Sequence, residues 1–144
     1  MGGPSQRAAF VARPAAPDVR PRVLLADADA ITADVIGHRL RRDGLAVDAV
    51  EDGPTALDAL GGGGFHAAIL GATLAGVGGL DMLRRIRAGE AGPPDLGVAV
   101  VLWPGNDRMV ARAYDLDADD VLVRPLSLVA VSASVRRLLR RRGR

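Results

Sequence analysis

The 144-residue chain contains no cysteine and no lysine, and its aromatic residues are one tryptophan, one tyrosine and two phenylalanines. Without cysteine there is no disulfide and no thiolate metal site. Without lysine, Schiff-base and amine catalysis are excluded. No apolar run approaches the roughly 20 residues of a membrane span, and the N-terminus lacks the apolar core of a signal peptide. We therefore expect a cytoplasmic protein that makes no contact with a membrane.

The charged residues are distributed unevenly along the chain. The formal net charge is +2, but six arginines fall within residues 136–144 and three more within residues 1–20. The middle of the chain is therefore acidic, which argues against a nucleic-acid-binding face spread over the fold. Residues 1–20 are rich in proline, alanine and glycine, which predicts a disordered tail. We expect one domain over 21–141 and the start of a linker or C-terminal tail at 142–144.

The stretch Val23–Ala26 is apolar throughout and runs into two acids, Asp27 and Asp29. A short apolar run followed by a helical pattern predicts a central strand of a parallel sheet. Similar reasoning predicts five strands and five helices in alternation. The strands fall at about 22–26, 45–50, 66–70, 97–102 and 120–123, and the helices at about 30–42, 55–60, 79–88, 107–115 and after Ser127. This order predicts an α/β fold of the flavodoxin-like, doubly wound (βα)5 type, with a five-stranded parallel sheet in the order 2-1-3-4-5.

Spacing and capping residues predict which side of a helix faces the sheet. Asp29 is placed to cap the helix over 30–42, and Ile31, Val35 and Leu40 are expected on its inner face. In the third helix, the apolar residues are expected inward and the arginines outward: Arg84, Arg85 and Arg87. Ser127 is placed to cap the fifth helix.

Several motifs occur in order on these predicted elements. Residues 51–57 (Glu-Asp-Gly-Pro-Thr-Ala-Leu) are similar to E-D-G-x-x-A-L, and Gly76 and Gly79 match the two glycines of P-G-x-x-G. Residues 117–127 are similar to G-A-D-D-Y-[LI]-x-K-P-F-S. With residues 23–27, these motifs resemble a CheY-like response-regulator receiver domain over about 22–141. The ending Leu138–Arg141 is similar to the OmpR/PhoB winged-helix class.

The residues that differ from the family pattern are those of its phosphorylation site. The resemblance implies a phosphorylated aspartate after strand 3, and Gly71 stands there. It implies two adjacent acids that hold Mg²⁺ after strand 1, but Asp27 is followed by Ala28. The hydroxyl residue after strand 4 is replaced by Trp103, and the lysine after strand 5 is replaced by Arg124. We therefore expect a degenerate phosphorylation pocket with no cofactor, no metal and no enzymatic activity.

Arg124 is expected to take the place of the cation in this pocket. Its guanidinium stays charged and can pair with Asp27, while Trp103 is expected to add bulk beside Gly71. Asp29 is expected to act as a helix cap rather than as a metal ligand. By resemblance, the Arg124–Pro125 bond is expected to be cis.

Three functional hypotheses follow. The favoured one is an atypical receiver that signals without phosphorylation, acts in transcription regulation and is fused to a DNA-binding domain. It would form a homodimer through the fourth helix, fifth strand and fifth helix, where Asp119, Asp120 and Arg136 are the charged candidates. In the alternative, Trp103, Arg124 and Asp27 line a pocket for a small-molecule ligand. In the third hypothesis, Asp27 or Asp29 still accepts a phosphoryl group.

Overall fold

The computed structural model describes residues 19–142, without the side chain of Arg142. Its strands are β1 (Arg22–Ala26), β2 (Ala46–Val50), β3 (Ala67–Gly71), β4 (Gly97–Leu102) and β5 (Asp120–Val123). Its helices are α1 (Ala30–Arg42), α2 (Gly53–Gly61), α3 (Gly79–Arg87), α4 (Asp107–Asp115) and α5 (Leu128–Arg142). The predicted tail over 1–20 and the predicted C-terminal extension over 142–144 lie almost wholly outside the described residues.

The five strands form one parallel sheet in the order β2-β1-β3-β4-β5. The predicted flavodoxin-like topology is therefore confirmed. Every residue of β3 and β4 is buried, because helices cover both faces of a doubly wound sheet. Within residues 19–142, no helix has both the length and the apolar character needed to cross a membrane.

The two faces of the sheet carry two separate hydrophobic cores. Alternate residues of a strand point to opposite faces, so Leu24 packs under α2 and α3 while Leu25 packs under α1 and α5. The first core continues through residues such as Met82 and Ile86. The second core joins α1 to α5, whose inner residues include Val135.

The predicted inner face of α1 is largely wrong. Leu40 is buried, but Ile31 is 76% exposed and Val35 is 49% exposed. The buried face also includes Ala33 and Ile36. A small residue at position 33 lets the helix lie close to the sheet, so the apolar residues that look inward-facing by spacing are left in solvent.

The helix caps agree with the predictions. Asp29 accepts the backbone N–H of Ile31 at 3.1 Å and the hydroxyl of Thr32 at 2.6 Å. At the start of α5, the Ser127 hydroxyl oxygen accepts the N–H of Ala130 at 3.2 Å. These contacts satisfy backbone donors that have no partner inside the helix, so they fix where α1 and α5 begin.

The packing of α5 depends on one glycine at the start of β4. A Cβ placed on Gly97 would overlap the backbone carbonyl of Leu138. The backbone of α5 therefore approaches the sheet as closely as a residue without a side chain allows.

Candidate functional site

Asp27 directly follows β1, at the carboxyl edge of the sheet. Its backbone N–H donates to Val50 O at 3.0 Å, and its side chain is almost wholly buried, at 3% exposure. Oδ1 accepts the backbone N–H of Asp29 at 2.9 Å, and Oδ2 accepts Nη2 of Arg124 at 2.8 Å. Both carboxylate oxygens therefore have partners inside the protein, and the predicted Asp27–Arg124 ion pair is present.

Arg124 reaches this position from the end of β5. Its backbone N–H donates to Leu102 O at 2.9 Å, and the peptide bond to Pro125 is cis, as predicted. Its side chain is 11% exposed, and the guanidinium carbon lies 5.0 Å from the centre of the Trp103 ring. This distance is typical of a cation–π contact. Trp103 thus shields the outer side of the ion pair.

The prediction that Trp103 fills space beside Gly71 is wrong. The tryptophan is 57% exposed, whereas Leu74 is 7% exposed. A Cβ placed on Gly71 would lie 3.7 Å from Cδ2 of Leu74 and 3.3 Å from the carbonyl oxygen of Ala26. Leu74, from the loop after β3, therefore borders the position where the family carries its acceptor side chain.

The residues at this edge do not fit a magnesium ion, which prefers several oxygen ligands in octahedral geometry. Ala28 has no ligand atom, and both oxygens of Asp27 are engaged. Asp29 is held by Thr32 and Ile31, and the hydrogen bond from the Thr32 hydroxyl is the main cause that lowers the pKa of Asp29. Within residues 19–142, no three acidic or histidine side chains come together in a way that could hold a metal.

The predicted dimer-face acid Asp119 is engaged within its own chain. Its side chain is 12% exposed, and its oxygens accept Nη1 of Arg141 at 2.9 Å and Nη2 of Arg87 at 3.0 Å. The backbone N–H of Val98 donates to the same carboxylate at 2.8 Å. A carboxylate with three internal donors has little capacity left for a partner subunit.

The other two dimer-face candidates are more accessible. Asp120 accepts the backbone N–H of Val121 at 2.9 Å and lies 3.7 Å from Nη1 of Arg137. Arg136 is exposed on α5. Arg136, however, lines a cavity with Asp43 and Leu45 on the side of α5 that faces α1, so the structure does not group it with Asp119 and Asp120.

Arg87 is buried rather than directed outward, which corrects the prediction for α3. It is 13% exposed and donates to the carbonyl oxygens of Leu96 at 2.6 Å, Pro94 at 2.9 Å and Asp117 at 2.8 Å. Burial, as the largest cause, and the nearby Arg141 lower the pKa of Arg87. The sequence gives no local signal for these contacts, because the chain separation between Arg87 and Asp117 is 30 residues.

Asp117 adopts a left-handed backbone conformation, with φ of 68°, where the family motif has glycine. Aspartate tolerates this region better than most residues. Its side chain accepts Nη2 of Arg141 at 2.7 Å, and this hydrogen bond is the main cause that lowers the pKa of Asp117. Arg87, Asp117, Asp119 and Arg141 thus form one ion network, which joins α3 and β4 to the last turn of α5.

We expect the stability of the domain to fall in acid as Asp117 and Asp43 are protonated. The pKa of Asp117 is lowered by Arg141, and that of Asp43 chiefly by the Ser132 hydroxyl. A carboxyl with a lowered folded-state pKa stabilises the fold above its unfolded value of about 3.9, and this stabilisation is lost as the pH falls through the folded value. Urea unfolding between pH 7 and pH ~2.5 measures the loss. Asp117→Asn should make the acid dependence shallower, and an unchanged slope would contradict this explanation.

Comparison with known proteins identifies the family. The family model described as "Response regulator receiver domain" matches residues 23–136. The response regulator protein PmrA of Pseudomonas aeruginosa is 37% identical over 122 residues, which are 83% of this chain and 53% of PmrA. The transcriptional regulatory protein CutR of Streptomyces coelicolor is 33% identical over 120 residues, covering 83% of this chain and 54% of CutR. The chain thus spans about half the length of these relatives.

Solved structures agree on the fold. The signal receiver domain of an HD domain-containing protein from Pseudomonas fluorescens has a TM-score of 0.79 at 19% identity, covering 91% of this chain and 95% of that one. The receiver domain of the Francisella response regulator 1452 has a TM-score of 0.77 at 20% identity, covering 85% and 98%. Together with the matched sequence and the strand order, these similarities show that the chain belongs to the response regulator receiver domain family.

Proposed function

We propose that this receiver domain signals without aspartate phosphorylation. The observation that carries the proposal is the Asp27–Arg124 ion pair, because it combines a buried carboxylate with a fixed cation at the carboxyl edge of the sheet. At the same edge, Gly71 offers no side chain for a phosphoryl group. The arginine supplies permanently the positive charge that a bound cation would supply only when present.

The remaining acids are poor substitutes for the missing acceptor. Asp27 is buried and accepts two hydrogen bonds. Asp29 is exposed, but its oxygens bind Ile31 and Thr32 at the start of α1. Phosphorylating either residue would break hydrogen bonds that hold β1 to α1 or to β5. These contacts argue against the hypothesis that Asp27 or Asp29 accepts phosphate.

We expect the intact mass of the protein to stay unchanged after incubation with Mg²⁺ and a small phosphodonor. A receiver with an acceptor aspartate, treated in parallel, should gain the mass of a phosphoryl group. As a matched variant, the triple change Gly71→Asp, Ala28→Asp and Arg124→Lys restores three of the four replaced side chains of the family pattern and leaves Trp103 in place. A mass gain by the unaltered chain would refute the proposal.

We propose the regulatory role of the full protein from the relatives. CutR is named as a transcriptional regulatory protein, and this chain spans about half of that relative's length. We propose that the domain belongs to a two-component-type regulator of transcription, that it acts in the cytoplasm without contact with a membrane, and that a DNA-binding domain completes the protein. Homodimerisation through α4, β5 and α5 stays a prediction, and the internal engagement of Asp119 weakens it.

Small-molecule sensing is the second candidate function. A cavity of about 460 Å³ lies beside the ion pair and is lined by Trp103, Arg124 and Leu128, among others. Its volume is within the usual range for ligand pockets. Asp27 was predicted to line this pocket but lies behind Arg124, so a ligand there would contact the arginine and the indole rather than the buried acid.

A further inference from the structure

Two adjoining cavities and a third, separate one lie along α1 and α5. The upper one, of about 460 Å³, includes Ile31, Val35, Trp103 and Leu128. A second of about 350 Å³ shares Val35 and Leu128 with it. A third, of about 210 Å³, lies further along the two helices, beside Leu45. We refer to these three cavities together as the α1–α5 groove.

The upper end of this groove exposes an unusual amount of apolar surface. Ile31 is 76% exposed, Trp103 is 57% exposed and Val35 is 49% exposed. Adjacent exposed apolar side chains with a charged rim mark an interaction surface. The question is therefore what covers them.

We propose that residues 7–13 of this same chain (Arg-Ala-Ala-Phe-Val-Ala-Arg) bind in the upper part of the α1–α5 groove. In this arrangement Phe10 contacts Ile31 and the free face of Trp103, because an aromatic ring and an indole form favourable offset or edge-to-face contacts. The inference does not depend on the phosphorylation chemistry, but it uses the same cavity as the small-molecule alternative, so the segment and a ligand would compete for it.

The N-terminal segment has the length that this position requires. Leu45 lines both the lower cavity of the groove and a cavity beside Arg20 and Arg22, where the chain enters β1. From there the groove follows α1, whose 13 residues span about 20 Å at 1.5 Å per residue. The 11 residue-to-residue steps from Phe10 to Pro21 can extend over about 36 Å, so the segment can reach Trp103 without strain.

The groove contains acidic side chains that suit the two arginines of the segment. Asp29 is exposed in the upper cavity and Asp34 is exposed in the second cavity, and the Asp34 side chain makes no hydrogen bond or ion pair with any residue in 19–142. Arg7 and Arg13 flank the apolar Phe10-Val11 pair. Arg39 and Arg42 line the same second cavity as Asp34, and the lowest cavity contains both Asp43 and Arg136. Asp34 is therefore an acid in the groove that can pair with an arginine of the segment.

Trp103 is the only tryptophan in the chain, so its fluorescence reports occupancy of the groove directly. In the full chain, Phe10→Ser should shift the emission to longer wavelength and raise the acrylamide quenching constant about two-fold, because the indole loses its aromatic cover. Gln6→Ala, just outside the proposed contact, is the matched control and should leave both values unchanged. Far-ultraviolet circular dichroism should be the same for all variants.

A charge swap tests the polar contacts. Arg13→Glu and Asp34→Arg should each raise the quenching constant of Trp103, and the double variant should return it toward the original value. Equal quenching constants for the original chain and Phe10→Ser would overturn the proposal. So would a protection of Trp103 that is lost on dilution through the micromolar range, because the occupant would then be a second copy.

Discussion

Replacing Arg124 by methionine should lower the free energy of unfolding by about 3 kcal/mol. The change removes the charged partner of Asp27, whose side chain is 3% exposed. Methionine keeps much of the apolar volume but cannot donate a hydrogen bond. The buried carboxylate is then left with only the N–H of Asp29. Equilibrium unfolding in urea measures the loss, provided that the dependence of the unfolding free energy on urea concentration is the same for both proteins.

A double-mutant cycle with Asp27 separates the energy of the ion pair from the loss of packing around Arg124. Asp27→Asn should cost less than Arg124→Met, because the freed guanidinium borders solvent beside Trp103. The double variant should lose less stability than the sum of the two single changes, because it leaves no unpaired buried charge. Arg124→Lys keeps the charge and is the conservative control. A loss below about 0.5 kcal/mol for Arg124→Met would show that the pair does not hold this edge of the sheet together.

Gly97→Ala should destabilise the domain by at least about 3 kcal/mol, which is at the upper end of the effect of overpacking. The added methyl group overlaps a backbone carbonyl of Leu138 rather than the end of a flexible side chain. Relief requires α5 to move away from β4 as a unit, so contacts such as those of Val135 loosen together. Thermal and urea unfolding both measure the effect.

Gly61→Ala is the matched control for this substitution. Gly61 ends α2, and a Cβ placed there meets no atom within 4 Å. Alanine favours the helix and restricts the unfolded chain, so we expect no change or a gain of about 0.5–1 kcal/mol. If the two alanine variants were equally stable, the close approach of α5 to β4 would be refuted.

The strands of the sheet were predictable from the sequence because their signal is local, whereas their order came from the right-handed crossover rule and the choice of the flavodoxin-like group. The apolar runs at β3 and β4 match strands that are buried on both faces. Glycine and proline separate them from the helices. The caps Asp29 and Ser127 were predictable for the same reason, since each contact spans three residues or fewer.

The side of α1 that faces the sheet was not predictable from hydrophobicity alone. Ala33 carries almost no apolar signal, yet it faces the sheet, while Ile31 carries a strong one and faces solvent. Spacing describes which residues share a side of a helix, but not how closely that side approaches its neighbour. In α1, the position of a small residue determined which side of the helix packs on the sheet.

The candidate site was predictable only in part. The Asp27–Arg124 pair follows from which strand ends meet at the carboxyl edge of a parallel sheet, combined with the family pattern. The roles of Leu74 and Arg87 depend on loop paths and on contacts between distant segments, which no short-range pattern encodes. Asp117 did give a signal, since it stands in a glycine position of the motif, but its partner Arg141 is 24 residues away.

The ion network that holds the last turn of α5 has a mechanical consequence. Arg141 is tied to Asp117 and Asp119, and Asp119 is tied in turn to the backbone at the start of β4 through Val98. A pull on the chain at residue 142 would therefore load the ion pairs and the central sheet before it could unwind the helix. Under force or torque at this point, α5 and the central sheet would therefore move together as one rigid body.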